Sequence, residues 1–513
     1  MFALIVLGCL TALIAPTGTA AIDHGVAAEV AQDISDLGSE VIVAQVEGML
    51  SGSYYPNPQH SQLAGKQFIP MSGPSDPSGH ATVVTTKWLG SSSGIASGVN
   101  KIYCWSSNDW INDGLLRSSS PSTVPPLPLP DEIKVFNHSW VGSGGSSAPF
   151  VIRRTDYLIN RDDVLVIAGV NNSPPQRVLM SHMYNGISVG RAGGGHASEP
   201  TGLFADGPGR MKPEIVDTDS ATSWTTARVS GAATALVHVA RTTPQLKNEP
   251  LAERSEVIKA VLLAGASQPE YWSNLTLGST LPLGVTEQPL DPIYGAGVAN
   301  LEHSCSILAA GRLPGTSGID APFAESFGWD LASIPTNQSV AWKFEALAPV
   351  DEIVIVATWH RWINPANMDD WAIAEVHLRI ERLEDKTAFP LTGLEGSSFY
   401  DVGNVVSQSS VDNVQMLRIE GLLPGRYKVS LERVDDHPND WDVSIAWRWS
   451  DVLGNGQTPS GEREHNNNSF SIFAFLQLLN SWGVCPSDKD CPYDLNGDGQ
   501  VGILDLLALL QKY

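Results

Sequence analysis

Two nearly continuous apolar runs, Val41-Ile42-Val43-Ala44-Gln45-Val46 and Val164-Leu165-Val166-Ile167-Ala168, constrain this chain more than any other feature. A strand without polar alternation is covered on both faces, as in a parallel sheet lying between two layers of helices. Segments 231–240 and 253–264 have the length and the Ala/Leu content of such helices. From about residue 40 to residue 311 the alternation of strand-like and helical segments predicts an α/β domain with a parallel sheet.

The pattern changes after Pro314. Between residues 326 and 450 come six alternating strand signals, at 340–344, 353–357, 376–380, 415–419, 427–431 and 443–447. Their spacing and turn signals, with Leu423-Pro424-Gly425-Arg426 among the strongest, predict an all-β sandwich of jelly-roll type. A Gly-, Pro- and charge-rich stretch reads as a linker at 451–462. The expected order is residues 21–312, a sandwich at 313–450, the linker, and a small α-helical module at 463–513, because 513 residues exceed one core.

Residues 2–15 form an unbroken apolar or small run, broken by Pro16 and followed by small residues up to Ala20. That length suits a signal-peptide core and falls short of a membrane span, so residues 1–20 predict export, with a secreted or cell-surface destination. A buried first helix is the other reading of the same run. No later stretch reads as a membrane span. Cys485 and Cys491 suit a small-loop disulfide or, less well, a pair of metal thiolates, and Cys104 and Cys305 are left undecided. With 55 acidic against 31 basic residues and a net charge of −24, nucleic-acid and anionic-membrane partners are disfavoured.

The C-terminal segment Asp494-Leu495-Asn496-Gly497-Asp498-Gly499-Gln500-Val501-Gly502-Ile503-Leu504-Asp505 has the spacing of a twelve-residue calcium loop. Oxygens at positions one, three, five, seven and twelve come from Asp494, Asn496, Asp498, the Gln500 carbonyl and Asp505, and Gly499 permits the central turn. A metal-free Asp/Asn/Gly turn is the plainer reading. The closing Asp resembles a dockerin repeat, and Ser471-Ile472-Phe473-Ala474-Phe475-Leu476 aligns with Gly502-Ile503-Leu504-Asp505-Leu506-Leu507 as a second copy. Its ligand positions, Arg463, His465, Asn467 and Ala474, cannot hold the ion, so one working Ca2+ site is expected. Dockerin resemblance implies a cohesin-type partner and a link to polysaccharide-degrading assemblies.

The segments Lys212-Pro213-Glu214-Ile215-Val216 and Ala221-Thr222-Ser223-Trp224 through Ala233 place a serine at the start of an Ala-rich helix. Unpaired N–H groups and the helix dipole favour negative charge there, although a capped helix alone accounts for a Ser/Thr cluster. Together they resemble the serine segment of subtilisin-like serine proteases. Ser78-Gly79-His80-Ala81-Thr82-Val83-Val84 resembles that family's histidine segment, and Val43-Ala44-Gln45-Val46-Glu47-Gly48 stands where it has the strand ending in Asp. The resemblance, over most of residues 40–312, implies a triad of Glu47, His80 and Ser223, with Glu in place of Asp. Asp33 and Asp36 are the nearest rival acids, and both precede the strand. It also implies an oxyanion donor at Asn171, with Asn172 as alternate, and a substrate-pairing segment at Ser139, Trp140 and Val141. Ala81, Val83, Ala221 and Ala227 depart from the family pattern. A secreted endopeptidase acting on protein or peptide substrates is the expected function. An inactive scaffold used for binding or adhesion is the alternative.

Overall fold

The structure, a computed structural model, describes residues 36–49, 52–198, 200–202, 205–274, 281–317, 320–384, 387–389, 399–451, 483–484 and 500–501. It divides into two compact units, 1–453 and 454–513. Residues 1–20, the linker, Cys485, Cys491, the second repeat copy and every loop ligand except Gln500 lie outside the described residues. In the second unit a two-residue strand, Gly483–Val484, pairs antiparallel with Gln500–Val501.

The first unit is built on seven strands: β1 (Ile42–Glu47), β2 (Gln67–Pro70), β3 (Lys101–Ser106), β4 (Ile133–His138), β5 (Leu165–Gly169), β6 (Ile187–Arg191) and β7 (Ile215–Asp217). Their order is β2-β3-β1-β4-β5-β6-β7, and every pairing is parallel. The reason for the apolar runs is visible residue by residue. Val43, Leu165 and Ile167 enter one core, whereas Ala44, Val46, Val166 and Ala168 enter another on the opposite face. Helices α1 (Gly79–Leu89) and α3 (Thr222–Thr242) supply Val84, Trp88, Ala227 and Leu236 to the first core. Helix α2 (Ala148–Asp162) supplies Val151, Ile152, Leu158 and Ile159 to the second.

All six expected strand segments of the C-terminal half are strands, within two sheets. One sheet contains β10 (Ser339–Ala346), β14 (Val376–Glu384), β17 (Val406–Ser407) and β19 (Gly425–Arg433), with β15 (Thr387–Phe389) beside β14. Its far edge is β8 (Val285–Thr286), which pairs parallel with β17. The other orders β16 (Val402–Gly403), β18 (Val414–Leu422), β11 (Val350–Trp359), β20 (Trp441–Asp451) and β9 (Phe327–Ile334). A short hairpin, β12 (Trp362–Ile363) with β13 (Trp371–Ala372), lies apart from both. The two sheets share a core that includes Phe344, Leu378 and Leu431 from the first and Ile353, Leu417 and Ile445 from the second.

The five-stranded sheet is covered on both faces. Ile353, Ile355 and Ala357 of β11 point into the sandwich core, while Val354 and Val356 join the core of the parallel sheet, as do Trp329, Met416 and Ala446. Against that second face lies α4 (Ser255–Gly265), every residue of which is buried. Thr358 Oγ1 donates to Glu256 O at 2.9 Å near one end of α4, and Arg448 donates to Ala264 O and Ala266 O, both at 3.0 Å, at the other. Helix carbonyls at a C-terminus lack intrahelical partners, so Arg448 satisfies them while joining strand to helix. No break in packing marks the expected division at 312/313, and β8, which precedes it in the chain, already belongs to a sandwich sheet. Helix α5 (Leu301–Ala309), capped by Asn300, leads into β9.

Candidate active site

Strands β1 and β4 are neighbours, yet the chain visits β2 and β3 on one side of β1 before crossing to β4 on the other. Such a reversal opens a crevice at the carboxyl ends of the strands. The candidate residues collect there. Glu47 closes β1 and is 1% exposed, and its Oε1 accepts the Gly48 N–H at 3.0 Å. His80 lies in the first turn of α1, which Ser78 caps by accepting the Ala81 N–H at 3.2 Å. The His80 Nδ1 stands 3.0 Å from Glu47 Oε1. A carboxylate there makes Nδ1 the protonated nitrogen and leaves the lone pair on Nε2.

Burial pushes the Glu47 carboxyl above its ordinary range, against the opposing pull of His80 and the Gly48 N–H. Burial pulls the His80 imidazole down, but the hydrogen bond and charge of Glu47 outweigh it and hold the ring above its ordinary value of 6.5. The Trp224 ring lies 5.1 Å from the His80 ring, tilted by 33°. Trp224 also carries Lys87 Nζ at 5.9 Å, and Lys87 is itself paired with Asp219 at 2.6 Å.

Trp224 directly follows Ser223 in the first turn of α3. The N-terminal donors of that helix can be accounted for one by one. Thr222 N donates to Asn172 Oδ1 at 2.9 Å, and Trp224 N and Thr225 N both reach Ala221 O, at 3.0 and 3.1 Å. Ala221, at the N-cap, has no side chain with which to cap. The Ser223 N–H is thus the first-turn donor left for a ligand. Its hydroxyl donates to Ser139 O at 3.2 Å, and Ser139 Oγ answers by donating to Ser223 O at 2.9 Å. Asn137 supports this contact from β4, with Oδ1 2.9 Å from Ser139 Oγ and Nδ2 donating to Ser230 at 2.9 Å. Gly169 lets β5 approach the same turn, because a Cβ there would lie 2.8 Å from Thr226 Oγ1.

Glu47 and His80 are brought together; the Ser223 hydroxyl bonds to Ser139 O, and it is the ring of the next residue, Trp224, that lies against His80. Asn171 is not brought to the helix. Both bonds of its Nδ2 go to its own loop, to Ser173 O at 2.7 Å and Pro175 O at 3.0 Å. The alternate, Asn172, meets the α3 N-terminus instead, since the turn after β5 sends consecutive side chains in different directions. Of the segment expected to pair with substrate, Ser139 is buried, Trp140 is half-buried and Val141 is exposed. Gly142 has already exchanged both backbone hydrogen bonds with Leu179. Asp36 precedes β1, and Asp33 is outside the described residues. Cys104 and Cys305 are buried free thiols, the latter pushed up to about 12 by burial. Two residues of the site were not foreseen, Trp224 and Gln45. A polar residue inside an otherwise apolar strand was the available signal for the second.

No protein-family model matches the chain, and no curated protein does either. Among solved structures it is similar to a cold adapted subtilisin-like serine proteinase at 16% identity and a TM-score of 0.30, covering 45% of this chain and 83% of that one. It is also similar to a glycoside hydrolase family 43 arabinoxylan arabinofuranohydrolase from Bacillus subtilis. That match has 10% identity and a TM-score of 0.14, and covers 23% of this chain and 20% of that one. No helix among the described residues is long and apolar enough to cross a membrane.

Proposed function

We propose that this chain is a secreted serine endopeptidase working through Glu47, His80 and Ser223. The observation that carries the reading is the 3.0 Å bond from His80 Nδ1 to a buried carboxylate at the end of β1. Ser223 Oγ turns from Ser139 O toward His80, and Nε2 takes its proton as the oxygen attacks the substrate carbonyl carbon. The oxyanion so formed accepts from the Ser223 N–H and from the Asn172 side-chain amide, whose Oδ1 is anchored on Thr222 N. Imidazolium then gives its proton to the leaving amine as the C–N bond breaks. Water, deprotonated by His80, releases the acyl group and restores the serine hydroxyl. Glu47 stays ionised and keeps the ring in one tautomer throughout.

A fluorophosphonate probe on the full-length chain tests this. Labelling of the wild type and none of Ser223→Ala is the expected result. An unlabelled wild type returns the chain to the reading of an inactive scaffold for binding or adhesion.

At the C-terminus, the spacing of Asp494, Asn496, Asp498, Gln500 and Asp505 supports one Ca2+ site of dockerin type, with a cohesin-type partner as the implied use. Calorimetric titration of the full-length chain with Ca2+ should give one equivalent of binding that Asp494→Ala removes. Equal binding by that variant would place any ion elsewhere.

A further inference from the structure

Gln45 is a polar side chain in the middle of a largely apolar strand, and it is 1% exposed. It lies two residues before Glu47, so both side chains leave β1 on the same face. Its Nε2 donates to Ala81 O at 3.1 Å and lies 3.5 Å from Glu47 Oε2. Its Oε1 accepts from Thr85 Oγ1 at 2.5 Å, and that hydroxyl also lies 2.7 Å from Ala81 O. Ala81 and Thr85 are one turn apart on α1, and Ala81 directly follows His80. One carboxamide therefore ties together the strand that carries the acid and the helix that carries the base.

Packing does not require this arrangement. An apolar residue of the same volume fills a strand interior without the cost of burying an amide. Position supplies a reason. A Glu side chain has one more rotatable bond than Asp, so its carboxylate needs an additional constraint to meet a ring nitrogen in one geometry. Glu47 Oε1 is fixed by Gly48 N and His80, and the second oxygen faces the Gln45 amide.

We propose that Gln45 is a positioning residue that holds Glu47 and the first turn of α1 in one frame, so that the longer carboxylate meets His80 Nδ1. Its importance for turnover rests on the endopeptidase reading, but its effect on His80 is measurable without turnover. Charged groups near the ring are Glu47 from β1 and, beyond Trp224 of α3, the Lys87–Asp219 pair.

The test is an NMR titration of the His80 ring in full-length Ser223→Ala protein, with and without Gln45→Met. Met keeps the length of the side chain and removes the amide. The His80 midpoint should fall in Gln45→Met, because Glu47 is no longer held against Nδ1. In the Ser223 enzyme the same change should lower kcat about tenfold while KM stays within about twofold. Thr85→Val, which removes the hydroxyl that orients the Gln45 carbonyl, should move the midpoint in the same direction by less, and it serves if Gln45→Met does not fold. A His80 midpoint unchanged in the folded variants overturns the proposal. A His80 midpoint that responds in a protein without Ser223-dependent labelling keeps Gln45 as a positioning residue and removes the endopeptidase reading.

Discussion

The His80 imidazole must be neutral to accept a proton, and Glu47 holds it above the ordinary histidine value of 6.5. The acid limb of kcat/KM should therefore have its midpoint above 6.5. Glu47→Gln should move that midpoint down and lower kcat by roughly 10³–10⁴-fold, since the amide can no longer enforce the tautomer. A pH profile unaffected by Glu47→Gln would remove Glu47 from the role. The same shift has a stability side, in which the folded state binds the His80 proton more tightly than the unfolded chain. This contribution is complete below 6.5 and is lost as pH rises through the higher folded-state value. Legibility at this scale followed the motifs. Ser223, His80 and Glu47 stand at recognisable points of three separated segments. Gln45 was hidden because a single polar letter does not disturb an apolar run, and its partners lie in α1, 36 and 40 residues away.

At the N-terminus of α3, Asn172 holds Thr222 N while the Asn171 amide is spent on its own loop. Asn172→Ala should lower kcat by roughly 10²–10³-fold with little change in KM, as expected for a donor used only in the transition state. Asn171→Ala should lower thermal stability and leave kcat within a few-fold. The opposite ranking would return the oxyanion role to Asn171. Sequence separated these neighbours poorly, because one turn residue decides which way each side chain leaves the loop. Strands fared better, since alternation in β10, β14 and β19 reports which face is covered. Helix α2 lacked so clear a signal. Arg154 and Asp156 are buried in it, one bonded to the carbonyls of Leu116, Ser120 and Pro121 and the other paired with Arg361 at 2.7 Å. These charges lie on the same helix as the buried Val151, Ile152, Leu158 and Ile159, where hydropathy alone does not place them inside.

For the molecule as a whole, the sequence marks where α/β becomes all-β but not that the two are packed as one. The second face of β11, β18 and β20 looks ordinary in the text, because Val354, Val356 and Met416 are apolar letters in strands already known to have a core side. Met416→Ala, within the shared core, should cost roughly 2–5 kcal/mol. In calorimetry residues 1–453 should unfold in one transition that moves as a whole. Two separable transitions, with only one displaced by Met416→Ala, would show that the layers fold independently.

A fully enclosed α4 has a further consequence for a protein proposed to cut other proteins, which in solution is also exposed to copies of itself. Proteolytic nicking begins where backbone swings free, commonly at the seam between loosely joined parts. Here, among the described residues, that seam is filled by a buried helix fastened at both ends, so the packed faces of the two architectures offer no loose backbone. Resistance to self-digestion would then be a property of the junction itself.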